Sequence, residues 1–165
     1  MNSAHLHLLL NHVPVLGTLS GMLLLAFAMI RRSQELTRVS LAVLVLAAVI
    51  TIPVYWSGEP AEELVEHRPE VSERIIEQHE EAAEAAATAL GILGALSLAG
   101  LVLFRQATGV PRRFAALTLA LALVGTVLMI RTANLGGQVR HAEIRSATAG
   151  APAGARERRH DDDDD

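Results

Sequence analysis

The stretch VPVLGTLSGMLLLAFAMI, Val13 to Ile30, decides the fold: it runs for eighteen residues without an Asp, Glu, Lys or Arg. A helix rises about 1.5 Å per residue, so about 17–20 apolar residues match the hydrocarbon thickness of a bilayer. Three further runs have the same character: Leu41 to Trp56, Ala85 to Phe104 and Phe114 to Ile130. With flanking apolar and small residues included, the expected spans are about 8–30, 39–57, 82–104 and 114–133. The chain is 51% apolar but only 3% aromatic, and its apolar residues are concentrated in these runs, a poor recipe for a water-soluble core. The expected fold is an all-α integral membrane four-helix bundle occupying residues 1–145, with a disordered polar tail over 146–165.

Orientation follows from the arginines. Arg31, Arg32 and Arg38 lie between the first two spans, and Arg105, Arg112 and Arg113 between the last two. Short basic loops stay in the cytoplasm, so both termini and the 58–81 connection are expected on the outer side. No Lys or Arg precedes Arg31, so the first run reads as a retained span and not as a cleavable export signal.

The 58–81 connection is acidic: ten glutamates lie between Gly58 and Ala85, against Arg68 and Arg74. Such a run is usually a solvated face; its functional alternative is docking of a basic soluble partner. Pro60 and Pro69 break the chain here, with a short surface helix expected from Ala61 to His67. Beyond it, Val71, Ile75, His79, Ala82, Ala86 and Leu90 fall on one helical stripe, so the third helix should begin near Ser72, well outside the bilayer. Its stripe places His79 toward the bundle axis. Gly17, Gly21, Gly91, Gly94 and Gly125 suit close helix packing or, less often, a slot for a flat ligand. Pro53 should kink or end the second span, and Gly136-Gly137 should form a turn after the fourth.

The histidines carry the functional reading. His5, His7, His12, His67, His79 and His141 all fall at the outer ends of the helices; only His160, in the tail, does not. His5 and His12 are seven residues apart and share a helical face. Imidazole binds metals and titrates near neutrality, and polar groups at membrane depth are costly enough to suggest function. Cysteine is absent, which excludes disulfides, thiolate clusters and covalent haem attachment. A b-type haem needs only two facing imidazoles. His12 and His79 are the expected pair, with His141 an alternative axial ligand and Arg131 and Arg140 available to the propionates. The competing chemistry is zinc or copper held by three of His5, His7, His12, His67, His79 and His141.

A di-iron carboxylate centre is disfavoured, because no Glu-x-x-His pair occurs on two helices; His67 is preceded by Glu63 and Glu66 and His79 by Glu77. No His-Glu-x-x-His, Walker loop, dinucleotide fingerprint or nucleophile elbow is present, and no basic stripe points to nucleic acid.

His5-Leu-His7, Asn11-His12-Val13-Pro14 with Gly17, Ser57-Gly58-Glu59-Pro60, His79-Glu80-Glu81 and Asn134-Leu-Gly136-Gly137 through Arg140-His141 resemble a group of small bacterial four-helix predicted membrane proteins of unassigned function. The resemblance covers most of residues 1–145 and implies the four-span fold and the outer polar cluster, in a bacterial inner membrane, but no reaction. The expectation is a b-type haem electron-transfer protein, a subunit or partner of a larger redox complex or of a soluble cytochrome, more than a free-standing enzyme. The alternative is a non-catalytic accessory membrane subunit, or a histidine-rich zinc- or copper-binding membrane protein.

Overall fold

The computed structural model describes residues 3–62 and 73–140, which form six helices: α1 (Ser3–Leu10), α2 (His12–Arg31), α3 (Gln34–Trp56), α4 (Glu59–Glu62), α5 (Glu73–Leu103) and α6 (Arg112–Arg140). The four long ones are each long and apolar enough to cross a membrane. They pack as a ring in which α2 neighbours α3, α3 neighbours α5, α5 neighbours α6, and α6 returns to α2. The fold is therefore all-α, a bundle of four candidate spans.

Polarity is distributed as a lipid solvent demands. Leu16, Leu23, Leu46, Ile92, Leu98, Leu117, Val127 and Ile130 are exposed on the four long helices, while Thr18, Ser40, Ser97 and Thr118 are fully buried. Lipid tails are as apolar as leucine, so burial of apolar surface is not what draws the helices together, and small residues and hydroxyls share the helix contacts with the buried Leu25, Leu41, Leu44, Leu90 and Leu93. Most buried hydroxyls bond one turn back: Ser40 to Leu36 O, Thr51 to Ala47 O, Thr118 to Phe114 O and Thr126 to Ala122 O. Each thus satisfies its donor within its own helix.

Glycines set the closest approaches. A Cβ on Gly94 would collide with Ala48 Cβ across the α3–α5 contact, and one on Gly21 would lie 2.7 Å from Leu44 Cδ2. Gly17 and Gly125 are similarly covered, by Ala47 and Leu90. Gly91 meets nothing within 4 Å, so of the five glycines singled out by sequence four pack helices and this one does not.

The α2–α3 and α5–α6 connections lie at one end of the ring. Arg32 ends α2 in the left-handed conformation, φ 53°, a position glycine usually takes. The cost for a residue with a Cβ is about 1–2 kcal/mol. Ser33 then caps α3, its Oγ accepting from Leu36 N–H at 3.3 Å. Two side chains of α3 hold the other loop: Arg38 Nη2 donates to Phe104 O (3.2 Å) and Ala107 O (3.1 Å), and Gln34 Oε1 accepts from Val110 N–H at 2.8 Å. Phe104 and Phe114 complete the join edge to face, with ring centroids 5.3 Å apart.

At the opposite end α3 stops one turn after Pro53, and two other features differ from expectation. Pro53 lies within α3 on an exposed face, and the helix continues through it to Trp56. The missing N–H leaves the Val49 carbonyl, four residues back, without its α-helical partner. Gly136 and Gly137 are helical, because α6 extends past them to Arg140. The surface helix begins at Glu59, and the residues expected to continue it, 63–67, lie outside the described residues.

Candidate two-histidine site

Pro14 shapes the approach to the site. Its ring cannot follow a carbonyl in regular helical register, and the N-terminal helix breaks one turn earlier, at Asn11, separating α1 from α2. The break is mild, since Asn11 N–H still bonds His7 O at 2.9 Å. It lets α1 lean onto the end of α3 and onto α4.

His7 reaches α3 through a carbonyl that the helix has released. At the C-terminus of α3, Gly58 N–H bonds Tyr55 O at 3.1 Å instead of continuing the α-helical pattern to Val54 O. Val54 O then accepts from Ser57 Oγ–H at 2.9 Å and from His7 Nδ1–H at 3.1 Å, with Ser57 Oγ 3.3 Å from the same nitrogen. A carbonyl only accepts, so Nδ1 carries the hydrogen. In neutral imidazole the Nε2 lone pair is then uncommitted.

His79 is held in the same manner from the other side of the bundle. Its Nδ1–H donates to Thr132 O of α6 at 3.1 Å. Access to that carbonyl is opened by Gly136, one turn beyond Thr132: a Cβ there would sit 3.0 Å from His79 Cε1. Gly58 plays a looser version of this part for His7, with Cε1 3.8 Å from where its Cβ would be. His7 and His79 are close enough for a charge on one to be felt by the other, and Glu80 adds its own field at His79.

Two imidazoles, from α1 and α5, thus each have Nδ1 fixed on a carbonyl and Nε2 lacking a partner among the described residues. One turn along from His7, the buried Oδ1 of Asn11 also lacks a hydrogen-bond partner. Fixing Nδ1 on a carbonyl is the outer-shell arrangement that orients a ligating histidine and raises the basicity of Nε2. These observations suit a group needing two nitrogen donors and shaped by neighbouring glycines, as b-type haem does.

His12, the residue expected to pair with His79, does not take the position that His7 does. His12 is exposed, and so is His5, on the face that their spacing predicts they share. His7 lies two residues from His5, about 200° further round the helix, and so takes the inward position. His79 stands where its stripe placed it, half-buried, with Ala82, Ala86 and Leu90 buried beneath it and Glu73, Glu77, Glu80, Glu81 and Glu84 exposed. Arg131 is exposed on α6. His67, His141 and the side chain of Arg140 lie outside the described residues, as does the 146–165 tail. No group of three or more His, Cys, Asp or Glu able to hold a metal forms among the described residues.

Sequence reasoning missed Ser57, Val54 O, Thr132 O and Gly136. The Ser57-Gly58 pair directly after an apolar run was the available signal for a released carbonyl. No family model, curated protein or solved structure matches the chain. The fold and this pair of histidines therefore stand without an identified family.

Proposed function

We propose that this four-span protein binds b-type haem near the outer face of a bacterial inner membrane and carries electrons, as a subunit or partner of a larger redox complex. The observation that carries the reading is the His7–His79 pair, with each Nδ1 committed to a carbonyl and each Nε2 without a partner among the described residues. A haem held between two such nitrogens supplies a reversible one-electron couple. His7 and His79 would hold the iron, while the Val54 and Thr132 carbonyls keep both rings from swinging. Arg131, exposed one residue before Thr132, is available to a propionate.

The site's level in the membrane is argued from side chains. Tyr55 and Trp56, exposed at the end of α3 beside Ser57, belong to the residue types that settle at a membrane–water boundary. The arginine loops at the other end favour the cytoplasm, which makes the histidine end the outer one. The exposed glutamates on the first turns of α5 would then steer a basic soluble carrier toward His79. Ligand number favours haem over zinc or copper, since the described histidines pair and do not form a triad.

The test is a reduced-minus-oxidised absorption spectrum of the full chain, purified in detergent after haem loading. Soret and α bands are expected in the wild type and in His12→Ala, and loss of both in His7→Ala and in His79→Ala. Absence of the bands from loaded wild type would overturn the proposal.

A further inference from the structure

The arginine end contains a cavity unrelated to the histidines. It has a volume of about 290 Å³ and lies where the tips of α2, α3 and α6 meet, among Met29, Arg32, Gln34, Thr37, Val110 and Arg112. Gln34 and Thr37 are already engaged, with Val110 N–H and Ser33 O respectively. The two guanidiniums are not: neither Arg32 nor Arg112 has an ion-pair or hydrogen-bond partner among the described residues. No acidic residue lines the cavity.

Two features point to the same ligand chemistry. Arg32 retains a long cationic side chain at a left-handed position where glycine is usual. Arg112 opens α6, a helix of 29 residues whose positive dipole end faces the same region and leaves early N–H groups without intrahelical partners. Two guanidiniums around a small cavity match a phosphate oxyanion. The surroundings then select its source. Phe27 and Ile30 of α2 and Leu117 of α6 are exposed apolar side chains on the two helices that flank the cavity, so a phosphate seated there has acyl-chain surface directly beside it.

We infer that this cavity is a binding site for the phosphate head of an anionic phospholipid, gripped by Arg32 and Arg112 with its acyl chains along α2 and α6. A zwitterionic head would bring a cation against two guanidiniums and is selected against.

Native mass spectrometry of the detergent-solubilised full chain tests this, with phosphatidylglycerol and phosphatidylcholine offered in equal amounts. Retention of phosphatidylglycerol should exceed that of phosphatidylcholine by about tenfold. The double variant Arg32→Gly, Arg112→Gln should lose that preference; its glycine keeps the left-handed turn. Arg112→Gln alone, which leaves the turn intact, should lose several-fold and provides the readout if the double variant fails to fold. Arg105→Gln, outside the cavity, should retain the full preference. Equal retention of the two lipids by wild type, or an undiminished preference in Arg112→Gln and the double variant, would overturn the site. Arginine-dependent binding of inorganic phosphate without a lipid preference would likewise overturn the lipid assignment.

Discussion

At the arginine end, Arg38 donates to two carbonyls just beyond α5, and Gln34 accepts the N–H of Val110, so these side chains have N–H groups left over but no nitrogen lone pair for a metal. At the histidine end, His7 and His79 also donate to main-chain carbonyls, but an imidazole has a second nitrogen on the far side of the ring. The same anchoring device therefore closes one end and equips the other. A guanidinium or an amide spent on a loop gives a joint, whereas an imidazole spent on a loop gives an oriented donor.

The strongest way to break this contrast is to remove an oriented imidazole. His79→Ala should abolish haem retention while costing the ligand-free bundle only about 1 kcal/mol for the lost bond to Thr132 O, read from the absorption spectrum and from unfolding in mixed micelles. Unfolding of the ligand-free variant by several kcal/mol more than this would make His79 a joint after all. Next in size is Gly136→Ala. The added Cβ would lie 3.0 Å from His79 Cε1, so the ring must give way and its bond to Thr132 O is disturbed; disturbing an outer-shell bond typically weakens binding by 10–100-fold, and haem affinity should fall by about tenfold, with His79 still present. Gly137→Ala supplies the control on the same helix, since nothing lies within 4 Å of its Cβ position; affinity should hold and stability rise by about 0.5–1 kcal/mol.

The arginine end should respond the other way round. Arg38→Ala leaves the Phe104 and Ala107 carbonyls without their donor and should destabilise the protein by about 1–2 kcal/mol with an unchanged haem spectrum. Gln34→Ala should cost about 1 kcal/mol, measured in the same unfolding experiment, because Val110 N–H loses its acceptor. A spectral change in either variant would blur the division between the two ends.

The four spans were legible because length and hydropathy suffice in a bilayer, where every helix bonds its own backbone. The extension of α5 ahead of its apolar run was legible as well, since His79, Ala82, Ala86 and Leu90 mark one stripe. What could not be read was rotation. Spacing put His5 and His12 on one face but could not say that this face looks outward, which depends on how the break before Pro14 lets α1 lean on α3. Gly136-Gly137 looked like a turn for a related reason: only tertiary contact with His79 explains a glycine at that level of a continuing helix. The resemblance to small bacterial membrane proteins drew on Ser57-Gly58 and Gly136-Gly137; of these, Ser57, Gly58 and Gly136 lie beside an imidazole and Gly137 does not.

The partners of His7 lie 47 and 50 residues further along the chain, and His79 follows them on another helix. A nascent polypeptide that has inserted only its first two spans consequently has His7 and its anchor but not the second imidazole. On the proposed haem reading, only a chain that has delivered α5 and closed α6 against it could take the ligand up.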